Sequence, residues 1–464
     1  MLGFNKQKQH EPDNQVSPPP IKNSGPPTVP RNFNAASTEL SDELETDWTR
    51  QIHEKLLNAL DLSLVTNMPE RAARAQIRDA ATRLLDEENA PLSAASRQRV
   101  VRGIENEVLG LGPLEALLED PSIADILINR YDSVYVERHG RLEKTKLSFR
   151  DEAHLTNIID RIVTGVGRRI DESSPMVDAR LKDGSRVNAI IPPLAIDGAC
   201  MSIRRFMKEK LSTDDLIAIG SLTESMAELL GAIVKSRLNV LVSGGTGSGK
   251  TTMLNILSGS ISPRERIVTI EDSAELQLQQ PHVIRLETRP ANIESKGEIS
   301  QRDLVKNSLR MRPDRIIIGE VRGEEALDML QAMNTGHDGS LATLHANTPR
   351  DALSRLENMI SMTGLQLPIS AMRSQIASAI DVVLQLERME DGTRRVTSIQ
   401  EIQGMEGDII TMSEIFCFER QGLDEEGKII GRYSATGLVP KFADTLRQRG
   451  LAVDVSLFRP EAEI

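Results

Sequence analysis

The chain has 464 residues, enough for two to four domains with cores of their own, and it carries a net charge of −12 with only 3% aromatic residues. This balance does not favour a nucleic-acid partner, because such surfaces track phosphates with positive charge and stack bases on aromatic rings. The two cysteines, Cys200 and Cys417, are too few for a disulfide framework or a four-cysteine zinc site, and their apolar neighbours predict buried free thiols.

The beginning of the chain predicts a Pro-rich, disordered tail over residues 1–42. Residues 1–40 hold seven of the 22 prolines and few apolar side chains, so this segment lacks the material for a core. No apolar run approaches the 18 or so residues of a membrane span, and no signal-peptide pattern opens the chain. We therefore expect a soluble, cytoplasmic protein.

Residues 43–115 predict a small helical bundle. A first helix carries apolar residues at intervals of four, namely Leu44, Trp48, Ile52, Leu56 and Leu60. Two more helices are expected over 70–85 and 93–109. Gly110-Leu111-Gly112-Pro113 then interrupts the helical pattern.

Residues 116–210 predict a small α/β domain. Short apolar runs indicate strands, and a helix is expected over 152–166. The predicted strands are 126–128, 134–136, 185–191 and 201–206. The polar segment 207–221 that follows predicts a linker.

Residues 211–464 predict a larger α/β domain with a C-terminal extension. Strands alternate with helices or loops, which is typical of a parallel sheet with helices on both faces. The strands are centred on 239–243, 266–271, 314–319 and 340–344, with later ones at 382–386 and 415–418. Ligands of such sheets gather at the carboxyl ends of the strands.

A phosphate loop follows the first of these strands and matches every fixed position of the pattern G-x-x-x-x-G-K-[ST]. Its residues are Gly244, Gly245, Thr246, Gly247, Ser248, Gly249, Lys250, Thr251 and Thr252. The backbone N–H groups and the following helix N-terminus suit phosphate oxygens, Lys250 suits the β- and γ-phosphates, and the Thr251 hydroxyl suits Mg²⁺. ATP and Mg²⁺ are the predicted cofactors.

Two carboxylates at other strand ends are candidates for the catalytic group. Glu271 ends one apolar strand, and Glu320 ends another whose usual metal-associated Asp position is occupied by Gly319. We favour Glu320 as the residue that orients or deprotonates the attacking water, with Thr251 and Glu320 near the metal. The residues alone leave the choice between Glu271 and Glu320 open.

Histidines bracket one strand in a Gly-rich setting. His337 precedes the strand and His345 follows it. A lone histidine is more often structural than functional, but this placement makes His345 a candidate for sensing or stabilising the γ-phosphate. No further zinc ligands accompany the pair.

Together these segments resemble the four boxes of the secretion ATPases of the type II/type IV superfamily. The phosphate loop resembles Walker A, and 269–272 resembles the Asp box. Residues 319–322 resemble the atypical Walker B, and 336–347 the His box. Upstream, 181–193 and 202–206 resemble the CpaF (TadA-type) branch, which powers tight-adherence (Tad, or Flp) pili.

The resemblance implies an ATP-hydrolysing homohexamer whose RecA-like domain is preceded by a small N-terminal domain. In this family, basic residues of that domain complete the nucleotide site, which here implies Arg186 and either Arg204 or Arg205, with Arg180 a weaker candidate. The implied partners are inner-membrane platform proteins and, indirectly, pilin subunits, with the ATPase peripheral at that membrane. The alternatives are a type IV secretion or conjugation ATPase, a nucleic-acid translocase, or an ATP-binding regulator without hydrolysis.

Overall fold

The structure is a computed structural model, and it divides into two compact units after Glu119. The residues that it describes are 33–59, 68–138, 140–205, 211–289, 296–451 and 453–460. Among the described helices, none is both long and apolar enough to cross a membrane.

The first unit is helical. Its described helices are α1 (Phe33–Ala59), α2 (Glu70–Glu87), α3 (Ala94–Leu109) and α4 (Leu114–Glu119). Part of the predicted stripe on α1 does face a core, since Ile52 and Leu56 are fully buried and Trp48 packs against them, whereas Leu44 is exposed. Ser93 begins α3, because its hydroxyl accepts a hydrogen bond from the Ser96 backbone N–H at 3.1 Å.

The bounds of this unit differ from those expected. Helix α1 begins at Phe33, inside the predicted 1–42 tail, and the short helix α4 extends the unit beyond the predicted end at 115. Residues 1–32 lie outside the described residues, as does Leu60 of the predicted stripe. The tail prediction for 1–32 therefore remains a prediction.

The second unit begins with a six-stranded antiparallel sheet in the order β3-β2-β1-β6-β5-β4. Its strands are β1 (Ile123–Arg130), β2 (Ser133–Arg138), β3 (Arg141–Lys144), β4 (Met176–Arg180), β5 (Arg186–Ile190) and β6 (Cys200–Arg204). With helix α5 (Glu152–Gly165) it forms what we call the small domain. The prediction missed β3 and β4, because β3 is exposed at every position and only Val177 of β4 is buried.

A nine-stranded sheet follows, in the order β15-β14-β13-β12-β7-β11-β10-β8-β9. Six neighbouring strands are parallel, namely β12 (Val382–Arg388), β7 (Val240–Gly244), β11 (Leu341–Leu344), β10 (Arg315–Val321), β8 (Ile267–Glu271) and β9 (Val283–Glu287). Strands β13 (Arg394–Glu406), β14 (Ile409–Leu423) and β15 (Ile429–Ala435) continue it as an antiparallel meander. The predicted parallel sheet is thus correct for the core and incomplete for the C-terminal extension.

Both faces of the parallel core are buried. Along β7, Val240 and Val242 belong to one apolar core and Leu241 to the other, which explains the uninterrupted apolar run in the sequence. The helices of this domain are α6 (Thr213–Ala218), α7 (Glu224–Lys235), α8 (Lys250–Ser258), α9 (Gln301–Ser308), α10 (Glu325–Asn334), α11 (Pro349–Met362), α12 (Ile369–Ala379) and α13 (Phe442–Gln448), with a 3₁₀ turn at Val455–Phe458. The α/β prediction, with a RecA-like domain preceded by a small α/β domain and a helical bundle, is confirmed.

Two smaller expectations need correction. The predicted linker contains helix α6, which Ser212 and Asp215 begin with a reciprocal capping box. Cys200 and Cys417 are free thiols as expected, but each is only half-buried.

A polar cluster fixes the amino end of the phosphate-loop strand. Asp381 accepts a hydrogen bond from the Asn239 backbone N–H at 2.7 Å. The Asn239 side chain bonds in turn to the Ala379 carbonyl at 2.8 Å and to the Gly339 and Ser340 backbone N–H groups at 2.9 and 3.0 Å. Burial, with smaller contributions from Asp338 and Glu401, raises the pKa of Asp381 to about 6.

The substitution Asp381→Asn is expected to stabilise the protein at neutral pH. A folded-state pKa raised above its ordinary value means that ionisation of Asp381 lowers stability as pH rises from about 4 to about 6. The amide can still accept the Asn239 hydrogen bond, so the variant gains at most about 2–3 kcal/mol at pH 7.5 and almost nothing near pH 4. Urea denaturation at pH 4 and pH 7.5 measures the difference in unfolding free energy between the variant and the unmodified protein. An equal difference at both pH values would contradict the raised pKa of Asp381.

Candidate functional site

The predicted site residues converge at one edge of the nine-stranded sheet. Strand β7 runs there into the phosphate loop, β10 ends just after Glu320, and β11 is followed by His345. These residues line a cavity of about 800 Å³ that is also lined by residues of the small domain. The convergence follows from topology, since the carboxyl ends of parallel strands share one edge.

The phosphate loop has the backbone shape of an anion cradle. Gly247 and Gly249 adopt left-handed φ values of +69° and +94°, which favour glycine. A side chain at Gly244 would collide with the Leu386 carbonyl oxygen and Ser248 Oγ. In the part of the chain that the structure describes, no side chain caps the start of α8, so its first N–H groups face the loop. The loop therefore fits a phosphate group at a helix N-terminus.

Lys250 is the buried cation of the loop. It is 8% exposed, and its Nζ donates to the Gly244 and Gly245 carbonyl oxygens at 3.0 and 2.8 Å. Burial lowers the pKa of Lys250, with Arg322 adding to the shift and Glu320 opposing it. Its ammonium is thus held by the loop backbone, next to where the loop would bind a phosphate.

Glu320 lies between two basic side chains. Its Oε1 is 3.0 Å from His345 Nε2, and its Oε2 accepts a hydrogen bond from Arg322 Nη2 at 2.5 Å. His345 Nε2 also lies 3.3 Å from Lys250 Nζ. Burial, followed by the charge of Lys250, lowers the pKa of His345, so the imidazole is neutral near pH 7. A continuous polar row thus joins the loop lysine to the carboxylate.

Glu271 holds a loop. Its Oε2 accepts hydrogen bonds from the backbone N–H groups of Glu275 and Leu276 at 2.7 and 2.9 Å, while Oε1 is buried with no partner among the described residues. Burial raises the pKa of Glu271. A Cβ added at Gly319 would lie only 2.8 Å from Glu271 Cγ, so Glu271 packs against the glycine that replaces the usual Asp.

The Thr251 hydroxyl has Glu275 beside it rather than Glu320. Thr251 Oγ1 lies 3.5 Å from Glu275 Oε2, whereas Glu320 is engaged by His345 and Arg322. Hydroxyl and carboxylate oxygens are the ligands that Mg²⁺ prefers, so Thr251 and Glu275 would hold a Mg²⁺ ion. The bound ion would neutralise part of the phosphate charge. Within the described ranges, no group of three or more His, Cys, Asp or Glu side chains forms a further metal site.

Arg186 connects the small domain to the phosphate-loop domain. It lies 3.0 Å from Glu275 through Nη1 and donates to the Ser273 carbonyl oxygen at 2.7 Å through Nη2. Arg180 joins the same segment, with an ion pair to Glu287 at 2.9 Å and a hydrogen bond to Ser273 Oγ. The two arginines therefore attach the small domain to the loop that Glu271 holds.

Arg204 and Arg205 line the same cavity but are engaged within the small domain. Arg204 Nε lies 3.4 Å from Asp125 Oδ1, and Arg205 Nη1 donates to the Ile123 carbonyl oxygen at 3.2 Å and to that of Asp120. The structure thus brings Arg186 to the Asp-box segment and gives Arg204 and Arg205 bonds that hold β1 and β6 together. The resemblance implied Arg186 and left the choice between Arg204 and Arg205 open.

His337 lies apart from the cavity lining. Its Nδ1 lies 3.2 Å from the Ala332 carbonyl oxygen near the end of α10, which is a structural role. Conversely, sequence reasoning did not assign Arg322, Glu275, Arg388 or Arg394, all of which line the cavity. Arg322 falls inside the 319–322 motif and Glu275 lies three residues after the 269–272 motif, and that proximity was the available signal. Arg388 and Arg394 lie on a hairpin outside every motif.

Comparison with models of protein families identifies the family of this chain. A model described as type II/IV secretion system protein matches residues 107–425, which is more than half of the chain. The chain belongs to this family. The match spans the small domain and the four boxes, so the superfamily prediction is confirmed and the Tad branch remains a prediction.

Three relatives of this secretion-family chain are named as conjugal transfer or type IV secretion proteins. A putative conjugal transfer protein of Mycobacterium tuberculosis is 40% identical over 313 residues, which are 66% of this chain and 88% of that protein. The conjugal transfer protein TrbB of Rhizobium radiobacter is 33% identical over 315 residues, or 67% and 92% of the two chains. Type IV secretion system protein PtlH of Bordetella pertussis is 34% identical over 316 residues, or 62% and 93%.

Two solved structures are similar to this chain, at lower sequence identity than these relatives. The VirB11 ATPase from the Brucella suis type IV secretion system is 28% identical with a TM-score of 0.34, covering 62% of this chain and 95% of that chain. The pilus retraction motor PilT with bound ADP is 19% identical with a TM-score of 0.46, covering 74% and 86%.

Proposed function

We propose that this secretion-family protein hydrolyses ATP to ADP and phosphate. The observation that supports it most directly is the row Lys250, His345, Glu320 at the edge of one cavity, beside a loop shaped for phosphate. A phosphate loop alone would also fit a regulator that only binds nucleotide. A carboxylate positioned beside it by two basic residues supplies what hydrolysis needs in addition.

Each residue then has a distinct task. The loop N–H groups and Lys250 bind the β- and γ-phosphates, and Glu320 orients the attacking water and accepts its proton. Neutral His345 holds Glu320 while leaving its negative charge in place. Glu271 acts as a positioning residue that keeps the 272–276 segment, and with it Glu275 and Arg186, against the cavity.

The work stroke would come from movement of the small domain against the phosphate-loop domain. Arg186 connects them through Glu275 and Ser273, next to the Thr251 hydroxyl, so a change in phosphate and metal charge bears on this connection. We propose a homohexameric ring, peripheral at the inner membrane, that passes this movement to a membrane platform protein.

The machine that it drives is proposed to be a tight-adherence pilus, on the strength of the 181–193 and 202–206 motifs. The names of the relatives from Mycobacterium tuberculosis and Rhizobium radiobacter favour the second candidate, a conjugation or type IV secretion ATPase. Deletion of the gene distinguishes them. Loss of surface pili with DNA transfer intact supports the pilus, the reverse result supports conjugation, and turnover stimulated by DNA in the purified protein would instead indicate a nucleic-acid translocase.

Arg186→Ala is expected to lower ATP turnover by roughly 10- to 100-fold, because a charged donor near the phosphates is lost. Arg186 contacts Glu275 and Ser273 of its own chain, so we expect it to act within one subunit. Mixing the Arg186→Ala and Lys250→Ala variants under subunit exchange should then restore nothing. Activity well above both parents would show that Arg186 serves a neighbouring subunit.

A further inference from the structure

Two arginines of the β12–β13 hairpin lie against the phosphate loop, and the roles proposed above use neither. Arg394 donates from Nε to the Gly247 carbonyl oxygen at 2.9 Å, and its Cδ lies 3.6 Å from the place of a Cβ on Gly249. Arg388 Nη1 lies 3.3 Å from the place of a Cβ on Gly247. Both line the cavity. The hairpin therefore forms a wall beside the left-handed glycines.

The two guanidinium groups differ in their remaining bonds. Arg388 is held by the small domain, because its Nη2 donates to the Gly140 carbonyl oxygen at 2.8 Å and lies 3.7 Å from Glu137 Oε1. Across the described residues, no acceptor lies within bonding distance of Nη1 or Nη2 of Arg394. Arg394 is thus anchored at Nε with both terminal nitrogens available.

The wall carries excess positive charge. Glu137 is the carboxylate that attracts Arg394, while burial and the neighbouring Arg388 lower the pKa of Arg394. An anion next to the loop would offset this repulsion, and a guanidinium donates to phosphate oxygens in a geometry that matches them.

We propose that Arg394 is a nucleotide-binding residue whose terminal nitrogens donate to the phosphates of ATP, and that Arg388 positions it by fixing the hairpin to the small domain. The inference rests on the proposed ATP site. The hydrogen bond from Arg394 Nε to the Gly247 carbonyl oxygen places the guanidinium on the proposed phosphate-binding loop. Bound phosphates would therefore be the nearest anionic ligand of Arg394. A guanidinium can also stack on a base, and the experiment separates these contacts.

Calorimetric titration of the full chain with adenylyl imidodiphosphate and, separately, with inorganic tripolyphosphate provides the test. Arg394→Ala should weaken binding of both ligands by about 10-fold or more, as expected for a charged hydrogen bond. Arg394→Lys should retain part of the affinity, because the positive charge remains near the phosphates while the paired donors of the guanidinium are lost. Arg420→Ala is the matched control, since Arg420 lies on neighbouring β14 and pairs with Glu390 outside the cavity lining.

Three results would overturn the inference. Unchanged binding by Arg394→Ala would remove the residue from the site, and weaker binding of the analogue alone would place it on the base or sugar. An equal loss in the Lys and Ala variants would show that Arg394 only holds the loop through Gly247. Failure of the unmodified chain to bind either ligand would instead refute the proposed ATPase, and thermal unfolding of each variant excludes misfolding as the cause.

Discussion

The substitution Glu320→Gln is expected to lower ATP hydrolysis by at least about 100-fold while nucleotide binding persists. The amide oxygen can still accept from Arg322 or His345, so the geometry of the row is largely kept, but the group can no longer take a proton from water. Single-turnover hydrolysis, with nucleotide binding measured in parallel, separates the two effects.

Glu324→Gln is the matched control for this substitution. Glu324 pairs with Arg302 and is absent from the cavity lining, so its replacement should leave turnover near that of the unmodified protein. The Glu320 assignment fails if Glu271→Gln abolishes hydrolysis with binding intact and Glu320→Gln does not. In that case the buried Glu271, whose pKa is raised, would be the base.

Lys250→Ala is expected to lower turnover by about 100- to 1,000-fold, the range seen when a single charge-stabilising donor is removed from an active site. Lys250 is the buried cation at the loop, and its loss also removes one donor from each of the Gly244 and Gly245 carbonyl oxygens. ATPase assays and equilibrium binding of ATP measure the result.

Lys235→Ala serves as the control for Lys250, because Lys235 is an exposed lysine in the last turn of α7. Circular dichroism of both variants tests whether the fold is kept. Turnover by a folded Lys250→Ala variant equal to that of the unmodified chain would refute the phosphate-loop assignment and, with it, the site as a whole.

The sequence was most informative where local chemistry and topology agree. The phosphate loop has a fixed spacing, and the alternation of apolar strands with helices determines which edge of the sheet Glu271, Glu320 and His345 share. Those residues could be placed together before any coordinates, because parallel strands bring their carboxyl ends to one edge.

Other parts of the site depend on long-range contacts that leave little trace in the sequence. Arg388 and Arg394 reach the loop only because β12 pairs with β7 and turns back as β13. The separate bonds of Arg186, Arg204 and Arg205 depend on where β5 begins and β6 ends relative to the Asp-box segment. The position of an arginine within a sequence motif does not predict which acceptor its guanidinium will bond to in the folded protein.

The contact between Gly319 and Glu271 makes two positions on neighbouring strands depend on each other. A Cβ at 319 would approach Glu271 Cγ to 2.8 Å, so an Asp at the usual Walker B position would require the Glu271 side chain to move from where it accepts the Glu275 and Leu276 backbone N–H groups. A lineage that exchanged one arrangement for the other by single substitutions would pass through either a clash or a site lacking both carboxylates. The residue that position 319 tolerates thus depends on the residue at position 271, which is epistasis between the two. Comparisons of this family with other phosphate-loop ATPases should therefore treat 271 and 319 as one character rather than two.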